Sequence, residues 1–222
     1  LHTLEYNYRA ERRICDLYSN AFYEGKLKTT DAVNARKSHS LSFTSSVVWY
    51  DTGKLQNKED KQSGTGKINP CNVTIIKRVL SQLRDEMIQK NTSYDIGIIA
   101  PYKAQTELLR NKLAIKKDFA DYKIDIGTVD SFQGSDRDII IYDCVRSSKL
   151  KQKAKIDFIA EEKRLNVSLS RANLLLIIVG DMDFLHQAQV SDKNNPFRSI
   201  IEYIAQNKDA YEIIEEKSNG RK

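Results

Sequence analysis

The chain has 222 residues, 40% hydrophobic and 30% charged, which is enough apolar material for a buried core and too balanced in charge for a disordered or fibrous chain. Its longest strongly apolar stretch, residues 174–180, is far short of the roughly 20 residues that cross a bilayer as a helix, and LHTLEYNYRAERR carries charges where a secretory leader needs an apolar run. Thirty-six Lys and Arg against 30 Asp and Glu leave a net charge of +6, which permits a polyanionic partner without demanding one.

The first predicted element is an amphipathic helix in ERRICDLYSNAFYEG, where Ile14, Leu17, Tyr18, Ala21 and Phe22 share one face and Gly25 provides the stop. Residues 26–42 are polar and aperiodic. A short β-branched and aromatic run, 47–50, suits a strand, and the polar, glycine-containing stretch 51–68 reads as a surface loop. Asn69 before Pro70 forms an N-cap and first-turn pair for a helix of about five turns, with Val73, Ile76, Leu80, Leu83 and Met87 recurring every three or four residues. Beyond it, short apolar runs alternate with helical segments: IGIIA, AQTELLRNKLAIKK, IDIGTV, DIIIYDCV, EEKRLNVSLSRA and LLLIIVG. This interleaving predicts an α/β fold with a buried parallel sheet of at least five strands and crossover helices. A last amphipathic helix is expected from Pro196, using Ile200, Ile201 and Ile204, and residues 211–222 are expected to be a loose, charged tail.

In parallel sheets, functional groups gather on loops at the carboxyl ends of strands. Those loops carry Pro101, Tyr102 and Lys103; then Asp130, Ser131, Phe132, Gln133 and Gly134; then Arg146, Ser147 and Ser148. One functional rim is therefore expected. The string SGTGKI at 63–68 imitates half of a phosphate-binding loop, but Lys61 stands where the pattern needs its first Gly and Ile68 where it needs a hydroxyl. A long polar stretch, not a buried strand, precedes it, so it is rejected as a nucleotide site. Cys15, Cys71 and Cys144 are odd in number and without C-x-x-C spacing, which suggests core thiols in a reducing compartment. His2, His39 and His186 have no partners at metal spacing, and no metal ligands are assigned.

Four segments in this order, LEYNYRAERR, IGIIAPYKAQTELL, IGTVDSFQGSDRDIIIYDCVRS and EEKRLNVSLSRANLLLIIVGD, resemble the second RecA-like domain of superfamily 1B helicases of the up-frameshift and senataxin type. The resemblance covers almost all of 1–222 and implies a fragment of a longer protein, the C-terminal motor domain of an ATP-dependent DNA or RNA helicase. It implies that Arg9 and Arg171 act catalytically on the terminal phosphate, Arg171 as an arginine finger whose planar fork suits a loose phosphoryl transition state. It likewise implies that Tyr8, Gly134, Asp136 and Arg164 serve the nucleotide, with Glu161 and Arg164 coupling the two faces. Pro101, Tyr102, Lys103 and Gln105, with Thr128, Val129, Asp130 and Ser131, are implied to hold single-stranded nucleic acid by phosphate contacts and stacking.

ATP and Mg²⁺ would be held mainly by an N-terminal RecA-like domain of the same protein, because a true phosphate loop and an Asp-Glu pair are not found in this sequence. The implied polarity of movement is 5′ to 3′, and the implied setting is intracellular: cytoplasmic in a bacterium, nuclear or cytoplasmic in a eukaryote, with no membrane partner. Other readings remain open at this point. Tyr102 could simply pack on the next helix, Asp130 and Gln133 could be a turn and cap, and the run carrying Lys149, Lys151, Lys153 and Lys155 reads as a solvated loop rather than a groove. A catalytically silent nucleic-acid or protein binding module is the rival function. A dinucleotide enzyme is disfavoured because no G-x-G-x-x-G follows a strand.

Overall fold

The computed structural model describes residues 5–34, 38–149, 154–191 and 193–217. The chain opens with β1 (Tyr6–Asn7), α1 (Arg12–Tyr23), β2 (Lys28–Thr29) and α2 (Asp31–Asn34), β1 and β2 pairing in parallel beside α1. Helix α1 ends as the sequence predicts, with Glu24 and Gly25 both in the left-handed region. Next come β3 (Val47–Asp51), β4 (Lys61–Ser63), β5 (Gly66–Ile68), α3 (Pro70–Lys90) and β6 (Ile96–Ile99). They are followed by α4 (Lys103–Leu113), α5 (Ile115–Asp118), β7 (Ile124–Gly127), a 3-10 turn (Val129–Phe132) and β8 (Arg137–Asp143). The chain closes with α6 (Glu162–Leu169), β9 (Ala172–Gly180), α7 (Met182–Gln187), α8 (Pro196–Gln206) and β10 (Glu212–Glu215).

Six strands form one sheet in the order β10-β3-β9-β8-β6-β7, every neighbouring pair parallel. Helices cover both faces, as in RecA-like architecture, and the period-2 alternation of the strands sorts their side chains between two cores. Val47, Trp49, Ile140, Tyr142, Leu176 and Ile178 face α1, α6, α7 and α8. Val48, Tyr50, Ile139, Ile141, Leu175 and Ile177 face α3 and α4. The continuous apolar runs of β8 and β9 are thus what a strand buried on both sides requires. Among the described residues no helix is long and apolar enough to cross a membrane.

Three expectations change. The stretch 51–68 is not only loop: β4 and β5 pair antiparallel through a turn at Gly64 and Thr65, Gly64 having a positive φ. Residues 212–215 are not loose, because β10 adds to the open edge of β3 with Glu212 opposite Val48 and Glu215 opposite Asp51; an edge strand needs only one apolar face, so YEIIEE is too short and too charged to stand out in the sequence. Of the predicted tail, 218–222 lie outside the described residues. Finally, the EEKRLNVSLSRA segment is helical only to Leu169, and Arg171 stands between α6 and β9.

Candidate functional site

The predicted site residues gather at two ends of the sheet, the loops of the expected rim at its carboxyl ends and the arginines of the nucleotide set at its amino ends. At the amino ends of β8 and β9, Arg9, Asp136 and Arg171 meet. Arg9 Nε lies 2.7 Å from Asp136 Oδ2 and Arg171 Nη1 lies 3.3 Å from Asp136 Oδ1, so one carboxylate bridges two guanidinium groups. Local structure fixes each of them. Asn7 accepts hydrogen bonds from the backbone N–H groups of Arg9 and Ala10 and donates to Ala10 O and Thr29 Oγ1, building the turn that projects Arg9. Arg171 Nε donates to Val167 O in the last turn of α6, and the backbone N–H of Arg137 donates to Arg171 O. Burial lowers the Arg171 pKa, the like charge of Arg9 adds to that, and Asp136 opposes both. A cavity of about 690 Å³ opens beside this trio, bordered by Tyr8, Tyr23, Asn166 and Ser170. Tyr8 is 72% exposed.

Two arginines converging on a single carboxylate offer the donor set that a phosphate group needs, and an exposed tyrosine ring beside them suits a nucleobase. The residues present therefore fit the phosphate and base of a nucleotide. Gly134, with φ +80, lies in the segment that carries the chain from the 3-10 turn back to Asp136. Among the described residues no group of three His, Cys, Asp or Glu side chains could hold a metal ion.

At the carboxyl ends of β6 and β7, a second cluster forms. Tyr102 caps α4 and stacks on Phe158, with ring centroids 4.9 Å apart. Arg164 lies 5.6 Å from the Phe158 ring centre and 4.0 Å from the Asp130 carboxylate. Lys103 is exposed in the first turn of α4. Ser131 Oγ donates to Thr128 O, closing the 3-10 turn, and Val129 is buried beneath it. Gly127 packs closely there: a Cβ at that position would stand 1.9 Å from Ser131 Oγ and force that hydroxyl out of its bond to Thr128 O. The β4–β5 turn, with Gly64, Thr65 and Gly66, faces Tyr102 and Phe158 across a cavity of about 740 Å³.

A buried polar layer supports this rim. Asp143, at the end of β8, is fully buried and accepts hydrogen bonds from Asn72 Nδ2, Val145 N and Gln105 Nε2. Burial pushes its pKa up to about 6, against the pull of those donors. The next residues form a γ-turn, Arg146 N donating to Cys144 O, with Val145 at φ +61. A β-branched residue in the left-handed region is strained by roughly 1–3 kcal/mol, and the Asp143 and Asn69 hydrogen bonds to Val145 hold it there. The turn delivers Arg146 to Asp60, 3.0 Å away, and Ser147 Oγ to Asp181. For Arg146 burial acts against the charge, yet Asp60 and Tyr102 together raise its pKa.

Two placements differ from the sequence reading. Gln105 is fully buried, its Oε1 accepting from Asn69 N and its Nε2 donating to Asp143 and Asn69 O; it positions the loop and offers no donor at the surface. Arg164, expected near the nucleotide, sits instead with Asp130 and Phe158, because α6 runs from the carboxyl-end rim to the amino-end cluster and Arg164 lies in its first turn. Phe158 itself is missing from the sequence reading. Its signal was an apolar residue out of phase: Ile156 and Ile159 are buried around it while Phe158 is not. Of the basic run, Lys149 is exposed and lies 3.9 Å from Glu59, Lys155 Nζ lies 3.2 Å from Ser191 Oγ, and Lys151 and Lys153 lie outside the described residues.

Comparison with known proteins matches residues 1–183 to a family model described as an AAA domain. The DNA polymerase alpha-associated DNA helicase A of Saccharomyces cerevisiae is 31% identical over 201 residues, 83% of this chain and 28% of that protein. Helicase sen1 of Schizosaccharomyces pombe is 31% identical over 184 residues, 82% of this chain and 11% of that protein. The Homo sapiens protein "Probable helicase senataxin" is 33% identical over 190 residues, 84% of this chain and 7% of that protein. The chain thus spans 28% or less of the length of each of these relatives.

Proposed function

The chain belongs to the AAA-domain family and is a RecA-like domain related to superfamily 1 helicases of the up-frameshift and Sen1 type, and from that premise we propose that it is the second, C-terminal motor domain of an ATP-dependent DNA or RNA helicase. The observation that carries this reading is the pair of guanidinium groups, Arg9 and Arg171, converging on Asp136 beside an open cavity. A module that only holds nucleic acid or protein on the opposite rim has no need of a second cationic cluster beside a cleft at the other end of the sheet. A motor does.

Bound ATP supplies the phosphoryl group whose transfer to water releases the free energy for movement. A nucleotide bound between this domain and an N-terminal RecA-like partner would be held by Arg9 and Arg171 at its phosphates in place of their bond to Asp136, with Tyr8 available to the base and Gly134 to the phosphate side. Arg171 spreads its donors over charge that grows in the transition state. Mg²⁺ is assigned to the partner domain. The movement reaches nucleic acid along α6, because Arg171 follows the end of that helix and Arg164 in its first turn faces Asp130 and Phe158. On the rim, Lys103 and the 128–131 turn contact the strand, Tyr102 supplies an aromatic face, and Pro101 shapes the approach to α4. Gln105 acts beneath them.

The test is a matched measurement of hydrolysis, nucleotide binding and thermal unfolding on the whole protein. Arg171→Ala lowers turnover roughly 10³-fold or more, with much less change in ground-state nucleotide binding and a folded protein. Arg171→Lys restores little, since it keeps the charge and loses the fork. Near-normal turnover in folded Arg171→Ala removes Arg171 from catalysis.

A further inference from the structure

Phe158 is a large aromatic ring left 48% exposed although the residues at 156 and 159 are buried to 2% or less. Its setting is specific. One face is stacked on Tyr102 at a 25° interplanar angle and the Arg164 guanidinium lies over the ring, 5.6 Å from its centre, so the part open to a base is what these two leave exposed. In front of it the cavity is walled by Gly64, Thr65 and Gly66 and edged by Lys103, with Glu107 as an acidic neighbour. No heavy atom lies within 4 Å of where a Gly64 Cβ would stand, so the turn leaves open space. The cavity of about 740 Å³ between ring and turn has room for a flat aromatic group, and an anionic group attached to it would have the exposed Lys103 ammonium at the cavity edge.

We infer that Phe158 is a base-stacking platform: an unpaired nucleobase of a bound single strand lies against the exposed part of the Phe158 ring, in the cavity opposite the Gly64–Gly66 turn, with an adjoining phosphate toward Lys103. The inference rests on the nucleic-acid reading of the rim, where stacking is implied for Tyr102, and assigns the base contact to Phe158, whose ring Tyr102 backs. The chemistry favours a base over an apolar peptide side chain, because an aliphatic group would cover the ring but leave Lys103 without a counter-charge. Base–aromatic stacking is also tolerant of sequence, since every base has a π-face, which suits a translocating protein. The Tyr102–Phe158 pair with Arg164 nearby then links the strand to α6, the helix that leads to Arg171.

The experiment compares two probes on the protein without nucleotide, by fluorescence anisotropy: a thymidine homopolymer of about 10 nucleotides and an abasic strand of the same length, within the usual site size. Wild type is expected to bind the base-containing strand about 5-fold or more tightly than the abasic one. Phe158→Ala removes that preference, weakening thymidine binding by about 5- to 100-fold, the range seen for loss of one stacking contact, while its salt slope and its affinity for the abasic strand stay put. Phe158→Trp keeps the preference, and Phe158→Leu, which keeps an apolar side chain without the π-face, loses it. Equal binding of both strands by wild type overturns the platform while leaving the phosphate-binding rim intact, as does an equal loss on both strands in Phe158→Ala. Binding of neither strand overturns the rim and the platform together. Should Phe158→Ala fail to fold in a thermal melt, Phe158→Leu against Phe158→Trp still decides the matter.

Discussion

Replacing Asp143 by Asn perturbs a fully buried carboxylate that ties β8 to both α3 and α4, and its effect should depend on pH in a defined direction. Asp143 Oδ1 accepts from Asn72 Nδ2 and Val145 N, and Oδ2 accepts from Gln105 Nε2 at 2.6 Å. Burial raises its pKa from 3.8 to about 6. Between those two values the folded chain binds more protons than the unfolded one, so this group's contribution to stability is full below the lower value, falls as pH rises, and levels off above the higher. A shift of about two units at about 1.4 kcal/mol each gives a loss of roughly 3 kcal/mol across that window. The Asn side chain has no such transition, but its amide would oppose the Gln105 amide, donor against donor, so it destabilises at every pH by roughly 1–3 kcal/mol for an unmade buried hydrogen bond. Urea unfolding of wild type and Asp143→Asn at pH near 4, 5, 6 and 8 cancels the groups the two proteins share. The wild-type advantage should be greatest near pH 4 and shrink by roughly 3 kcal/mol by pH 8. An advantage that is flat with pH, or that grows with it, would refute the reasoning. The same variant should loosen the 101–105 loop through Gln105, read as faster amide exchange at Lys103 and Ala104.

Two further outcomes follow from the clusters at either end of the sheet. Asp136→Asn removes the charge that holds Arg9 and Arg171, and if the carboxylate competes with phosphate for them, calorimetric nucleotide affinity of the whole protein should rise about 5-fold, the equivalent of about 1 kcal/mol of half-exposed ion pair; weaker binding would show that Asp136 itself contacts nucleotide. Lys103→Ala should lessen the logarithmic salt slope of single-strand binding by about 0.7, one phosphate contact, and an unchanged slope would take Lys103 off the rim.

Local pattern carried much of this molecule. Helices α1, α3 and α8 were legible because one face of each repeats apolar side chains at helical spacing, and Asn69 with Pro70 marks a start that the backbone cannot disregard. The parallel sheet was legible because β8 and β9 are apolar on both sides, which only strands covered on both faces can be. Arg9, Arg171 and the APYKAQ and TVDS loops were legible as motifs. What the sequence could not express is where the ends of those elements meet. The loops after β6 and β7 share one rim, as their place at strand ends implies, and the resemblance already sets Asp130 with nucleic acid and Asp136 with nucleotide; only the fold shows that Asp136 bridges Arg9 and Arg171, which come from separate stretches of chain. Strand β10 owes its existence to the open edge of β3, a partner 164 residues earlier whose free N–H and C=O groups no local propensity records. Gln105 reads as a surface donor but is drawn under the loop by Asp143 and Asn69, because a buried carboxylate must find donors wherever the fold supplies them. Phe158, unremarkable in sequence, acquires meaning only when Tyr102, Arg164 and the Gly64 turn converge on it from three separate stretches of chain: side-chain period reports which face is buried, and only tertiary packing decides what the exposed groups stand beside.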